Sequence, residues 1–339
     1  MNDHVYDLLK WSVLAGGNGG NSGGGGEEEV NLAKAIIERT ITEISDDTIE
    51  KIGDGAFLGC TALTMSNFPN ATEIGERAFE SSGLISASFP NVTKSDRYAF
   101  QYCSSLTNVN LPKLTVPDNY MFYYCSALEV IDLPRVTELG SSMFSYCSSL
   151  RSVDFPTIQT ISTNCCSNCS SLTSVNFPEA MYSEYASFAK CSSLESISLP
   201  KLTTMGNNMF EYCTSLKSVH LPNVTNLSQN AFSHCSELPT IDLTSVTSIG
   251  SSCFTSCGAL ESVDLLNVKS IGSSAFSSCR NLKSVRLPAT PPTLSSASAF
   301  SIINSACVFY IPTGSLAAYQ AATNWSALTS QYTFTEEDR

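Results

Sequence analysis

Charge is the first scarcity. Only 14% of the 339 residues are charged, against roughly 25% in ordinary soluble domains, so the polar surface must be built mainly from neutral Ser, Thr and Asn. Basic residues are the scarcer sign, 18 against 31 acidic, for a net charge of −13. That sign argues against a nucleic-acid partner or an anionic membrane surface. Histidine is rarer still: His4, His220 and His234 are the only three, which leaves little for metal binding or acid–base chemistry near neutral pH. No apolar run approaches the ~18–20 residues of a membrane span. Asp3 and Asp7 stand where a secretion signal places Lys or Arg, so no signal peptide is recognisable.

What the chain has in quantity is self-similarity. Phe57, Phe79, Phe100, Phe122, Phe144, Phe188, Phe210, Phe232, Phe254 and Phe276 recur every 22 residues, apart from a step of 21 before Phe100 and a double step before Phe188. Cys166 fills that gap. Three residues after each slot stands Cys60, Cys103, Cys125, Cys147, Cys169, Cys191, Cys213, Cys235, Cys257 or Cys279, with Ser82 in the shortened unit. One unit reads I-G-x-x-A-F-x-x-C-x-x-L-x-x-V-x-L-P-x-V-T-x. Its L-x-x-V-x-L portion alternates like a short strand, and the Pro that follows, as in Pro112, Pro134, Pro200 and Pro222, ends it. Such a unit cannot bury its inward positions alone, so neighbours must stack around a shared core.

The repeated A-F-x-x-C-x-x-L-x-x-V-x-L-P, running from about Ile36 to Tyr332, resembles the leucine-rich repeats of the BspA-like, or Treponema pallidum, type. The expected fold class is an α/β solenoid: a leucine-rich repeat array of about eleven 22-residue coils, one short parallel strand per coil, with helical caps at both ends. The resemblance implies a surface-exposed, adhesive or ligand-binding protein of bacteria, with related arrays in phages. It brings no catalytic signature and no cofactor, so an enzyme is not expected.

The expected organisation is a short docking segment at 1–15, a flexible linker at 16–26 with eight glycines, an N-terminal cap at 27–53, the solenoid at 54–290 and a C-terminal cap at 291–339. The N-terminal cap would open with a helix from Glu27, acids in its first turn. At the other end Pro291-Pro292 breaks the period, Val308–Pro312 reads as the last strand, and Gly314–Ser330 reads as a helix burying Leu316, Tyr319, Trp325 and Leu328.

Fourteen cysteines suggest disulfides or metal, yet the repeat places ten of them in one register. Stacked equivalents keep Cβ atoms near 5 Å, beyond disulfide reach, so a ladder of reduced thiols acting as small hydrophobes is expected. Cys166-x-x-Cys169 falls on the Phe and Cys slots and Cys253 precedes Phe254; Cys165 and Cys307 find no place. The N-x-[ST] matches at Asn70, Asn91, Asn223 and Asn226 follow from the repeated P-N-V-T turn. No metal site is expected.

Two rows of outward positions compete as binding surfaces. The strand row holds Asp132, Asp154, His220, Asp242 and Asp264, together with Glu129, Arg151, Glu195, Lys217 and Glu261. The other, just after the Phe slot, holds Tyr102, Tyr124, Tyr146 and Tyr212, with His234; Tyr98, Tyr120 and Tyr123 add to it. Exposed aromatics on a rigid support suit protein hot spots or stacked sugar rings. The expected role is recognition of a host or cell-surface protein or glycan. The alternative is a structural or receptor-binding component of a phage tail or surface assembly, tethered or self-assembled through residues 1–15. Its expected place is the extracellular surface or a virion.

Overall fold

A computed structural model describes residues 39–338. The docking segment, the glycine linker and the helix expected from Glu27 lie outside the described residues. The described chain is a parallel β-solenoid of about 13 coils of about 22 residues with little helix, and it divides at Phe155–Pro156 into two compact units.

In the first unit Glu43–Ser45, Met65–Asn67, Ser86–Ser88 and Asn108–Asn110 form a parallel sheet in strict register, so that Ile44, Ser66, Ala87 and Val109 stand side by side. The period-2 pattern turns the middle residue of each strand inward. A second, two-residue ladder runs through Lys51–Ile52, Glu73–Ile74 and Lys94–Ser95. Inside, Phe57, Phe79, Phe100, Phe122 and Phe144 stack at 5.0, 5.3, 5.4 and 5.8 Å. Each is buried and stabilises the unit by about 2–3 kcal/mol through burial.

The second unit repeats the plan. Ser196–Ser198 pairs with Ser218–His220, and Ser262–Asp264 is followed by Ser284–Arg286, Val308–Pro312 and Thr333–Glu337. Phe188, Phe210, Phe232, Phe254, Phe276 and Phe300 stack at 5.2–5.9 Å. Phe300 shows that the register continues past Pro291-Pro292. Coil strands thus precede Phe57 and follow Phe276, which is why eleven slots undercount the coils.

Three expectations are corrected. A strand does not form in every coil: Val130–Asp132 and Thr240–Asp242 hold the strand place without sheet pairing. At the second, Pro239 lacks the N–H with which its equivalents Lys217 and Glu261 bond the preceding coil. The C-terminal helix is two short ones, Leu316–Ala321 and Trp325–Gln331, because Asn324 turns left-handed (φ 67). Its Nδ2 donates to Leu294 O at 2.7 Å, which directs Trp325 into the core, where Nε1 donates to Pro292 O at 2.7 Å. Finally, Val308–Pro312 is not the last strand, since Thr333–Glu337 pairs in parallel beside it.

The Ile-Gly place is constrained by close approach. A Cβ on Gly250 would lie 2.7 Å from Gln229 N of the preceding coil, nearer than side-chain atoms pack.

The cysteine ladder is more than apolar filling. Cys103, Cys125 and Cys147 donate S–H to the carbonyls of Phe79, Phe100 and Phe122 at 3.0–3.1 Å. In the second unit Cys191, Cys213, Cys235, Cys257 and Cys279 donate to Cys166, Phe188, Phe210, Phe232 and Phe254 at 3.1–3.2 Å. All fourteen cysteines are buried and none is in a disulfide. Burial pushes the thiols of Cys103, Cys213 and Cys279 up to about 12, since the anion would sit in an apolar core. Cys165 takes the inward place before its Phe slot, as Cys253 does, and Cys166 Sγ lies 3.7 Å from Cys165 Sγ. The Asn of the turn is structural too: Asn70, Asn91 and Asn223 each donate to a carbonyl of the preceding coil at 2.6–2.7 Å.

Candidate functional site

From the Phe57 coil to the Phe276 coil, each corner carries two residues at φ near +60°, one two residues before the Phe slot and one two residues after. The alternation lets every second N–H donate to the next coil: Tyr98, Phe100 and Tyr102 bond Asn119, Met121 and Tyr123 carbonyls at 2.8–3.1 Å. Left-handed backbone suits Gly and Asn and costs other residues about 1 kcal/mol or more. Elsewhere these places hold Gly55 and Gly59, Asn or Ser as at Asn164, Asn168 and Ser252, and in some coils Arg77, Ala186, Lys190 or His234. In the first unit Tyr98, Tyr102, Tyr120, Tyr124 and Tyr146 hold them instead.

Those rings form two rows. Tyr98 stacks on Tyr120 at 5.2 Å; Tyr102 meets Tyr124 at 5.3 Å, and Tyr124 stacks on Tyr146 at 4.2 Å with planes 7° apart. Tyr123 stands crosswise between them, at 71–80° to Tyr102, Tyr120, Tyr124 and Tyr146 and 4.8–5.8 Å from each. Its phenol is pushed up by burial and then by those four neighbours. Arg77 and Arg97 lie over Tyr98 at 5.3 and 5.8 Å, and Arg97 Nε also bonds Glu76 at 3.1 Å. Tyr102 is 44% exposed and the other five are half-buried. Rings stacked along the coil direction cover part of each other's faces. The structure brings these tyrosine rings together, and their stacking occupies part of the ring faces expected to be open for sugar rings. In the second unit Tyr212 and His234 make one such pair at 4.2 Å and 5°.

The strand row behaves differently. Asp132, Asp154, Asp242, Asp264 and His220 are all exposed. The charges in or beside this row largely meet their neighbours one coil away: Glu129–Arg151 at 3.2 Å, Glu195–Lys217 at 3.3 Å, Glu261–Lys283 at 2.9 Å and Asp264–Arg286 at 3.7 Å. Exposed pairs of this kind contribute about 0–1 kcal/mol each. Asp242 accepts the Thr244 N–H at 2.9 Å, which holds its carboxyl below the usual range. Where Val130–Asp132 leaves the sheet, an open depression of about 570 Å³ lies between Asn108–Asn110 and Glu129–Asp132, and Val130 is 59% exposed in it. Sequence reasoning missed this opening. Among the described residues no group of three or more His, Cys, Asp or Glu is placed to hold a metal ion, and no helix is long and apolar enough to cross a membrane.

Comparison with known proteins bears on the fold. A leucine-rich repeat protein from Bacteroides ovatus is 24% identical, with 88% of this chain and 85% of that one covered and a TM-score of 0.63. The pneumococcal vaccine antigen PcpA is 18% identical, with 88% and 80% covered and a TM-score of 0.53. A leucine rich cell surface protein from Faecalibacterium prausnitzii is 23% identical over 84% and 91%, with a TM-score of 0.47. No curated protein matches the chain. The BspA type leucine-rich repeat region matches in overlapping stretches at residues 32–135, 72–186, 115–239 and 183–306. Those stretches run through the Phe and Cys ladders coil after coil, and the chain belongs to the BspA-type leucine-rich repeat family.

Proposed function

We propose that this chain is a non-catalytic recognition protein that binds a protein or glycan through its repeat surface, displayed at a cell surface or on a virion. The observation that carries this reading is the tyrosine cluster of the first unit. Five tyrosines from three successive coils occupy left-handed corner positions and, with Tyr123, gather their rings into one cluster. Large rigid aromatics are also the side chains that dominate binding energy at interfaces. The strand row offers less, because many of its charges are engaged with adjacent coils.

The test is a glycan and extracellular-matrix protein array probed with the full-length protein and with a Tyr102→Asn/Tyr124→Asn/Tyr146→Asn variant. Asn keeps the left-handed turn while removing the rings. Binding lost in the variant supports the reading; binding retained in full rejects this site.

A second role, tethering within a surface or phage assembly, draws support from the eight glycines of residues 16–26, which separate residues 1–15 from the coils. Light scattering of a protein lacking residues 1–26 tests it: an unchanged oligomeric state and unchanged assembly with candidate partners would remove the tether.

A further inference from the structure

We infer that Tyr124 and Tyr146 form an oxidative modification site, at which a peroxidase with hydrogen peroxide joins the two rings as a dityrosine and so ties consecutive coils covalently. The inference stands whether or not the cluster also binds a ligand. It begins from how the pair is held. The two residues take the same corner place in successive coils, at φ 59 and 63, and their rings lie 4.2 Å apart with planes 7° from parallel. The phenol of Tyr124 hydrogen-bonds that of Tyr146, so the rings lie hydroxyl end beside hydroxyl end. The ring carbons ortho to the two oxygens are therefore neighbours as well, and these are the carbons through which phenoxyl radicals couple. Tyr98 and Tyr120 are a looser pair, at 5.2 Å and 26°.

Access is the second step. Tyr124 and Tyr146 are half-buried, but Tyr102 is exposed and meets Tyr123 and Tyr124, while Tyr123 also meets Tyr146, all at 4.8–5.8 Å between ring centroids. A radical formed on Tyr102 thus reaches either partner through rings in contact. Competing sinks are shielded: Trp325 and all fourteen cysteines are buried, and a thiol reacts as its anion, which burial disfavours. Tyr182 and Tyr185 are exposed but have no tyrosine ring beside them, and Tyr212 stacks on His234 instead. The chemistry then balances. Each tyrosine of the pair gives up one electron and its phenolic proton, the two radicals form one bond between ortho carbons, and the hydrogens those carbons carried move to the oxygens to restore two phenols. One hydrogen peroxide takes up the two electrons and two protons and leaves as two waters. Radicals already held in contact couple within the chain in preference to radicals that must meet by diffusion. The rings leave the stack to bond edge to edge, which the broad torsion of a tyrosine ring permits, and the product keeps its two hydroxyls side by side, as the hydrogen bond holds them beforehand.

The experiment treats dilute full-length protein with a haem peroxidase and one equivalent of hydrogen peroxide, and follows the blue fluorescence of dityrosine, the size of the product on a denaturing gel and its tryptic map. Trypsin cuts after Lys113, Arg135 and Arg151, so Tyr124 and Tyr146 fall in separate peptides, 114–135 and 136–151, and Tyr146 is the sole tyrosine of its own. The expected result is a monomeric product in which these two peptides are joined, lighter than their sum by two hydrogens, with fragmentation placing the bond on Tyr124. Tyr146→Phe keeps the ring and its packing but has no phenol to oxidise, and should lose the joined peptide; Tyr185→Phe should leave its yield at the parental level. Dityrosine found only in multimers, a bridge within the monomer at other tyrosines, or tyrosine consumed without any bridge overturns the inference. Should Tyr146→Phe melt below the parent, the parental map decides alone.

Discussion

The thiol of Cys125 donates to the carbonyl oxygen of Phe100 at 3.1 Å, and that oxygen also accepts the Cys103 N–H of its own coil at 3.1 Å. Cysteine at this place therefore does two things that Val or Ala cannot do together: it fills a small apolar volume and occupies a second carbonyl lone pair between coils. Replacing Cys125 with Ala removes the donor and leaves a small void, for an expected loss of about 1–2 kcal/mol. Chemical denaturation of Cys125→Ala against the parent measures it, and an unchanged midpoint would show that the S–H contact contributes nothing.

The same ladder sets a pH dependence. Cys103, Cys213 and Cys279 are held neutral up to about 12 in the folded chain, whereas an exposed thiol ionises near 9. Between these values the unfolded chain binds fewer protons than the folded one, so stability falls as pH rises. It should be flat below pH ~8.5 and then drop by about 1.4 kcal/mol per pH unit for each such thiol. Urea titrations at pH 7.5, 9 and 10.5 report this directly; a midpoint that does not move across that series would mean the thiols reach solvent.

Ser66 stands at an inward strand place, beside Ile44 and Ala87, yet its Oγ is buried without a hydrogen-bond partner. Most coils elsewhere put Val or Ile there, with Leu or Phe two residues on; here Phe68 and Phe89 flank the smaller Ser66 and Ala87. Removing the stranded hydroxyl as Ser66→Ala should raise stability by about 1 kcal/mol. A lower thermal midpoint for the variant would indicate that the hydroxyl has a partner.

Much of this architecture was legible because a 22-residue period forces equivalent residues to stack: the Phe slots and the inward strand positions all sit where the period puts them. What the sequence did not disclose were features set by backbone conformation. The corner's left-handed residues were signalled by Gly, Asn and Ser recurring two places either side of Phe, at Gly55 and Gly59 or Asn164 and Asn168, but five tyrosines in the same places read as ordinary outward aromatics. The sheet breaks at Val130 and Thr240 depend on coil-to-coil bonding, of which only Pro239 leaves a trace in the sequence. The S–H donation of the ladder was hidden for a related reason, since burial alone makes a cysteine look like a small hydrophobe.

Tyr102 separates binding from folding. Its backbone sits at φ 58, a conformation that Asn adopts more readily, while its ring is 44% exposed and touches Tyr123 and Tyr124 at 5.8 and 5.3 Å. Tyr102→Asn relieves about 1 kcal/mol of backbone cost and forfeits ring contacts of about the same size, so stability should change by less than about 1 kcal/mol. Ligand affinity, if the cluster is the binding site, should fall by about tenfold or more, the range for losing an aromatic anchor. The two effects are read on one sample, by thermal melting and by titration with whatever ligand the array identifies. A variant that binds as well as the parent would relocate recognition, with the depression beside Val130 as the next surface to mutate; one that unfolds would show instead that the tyrosine rows hold the first unit together.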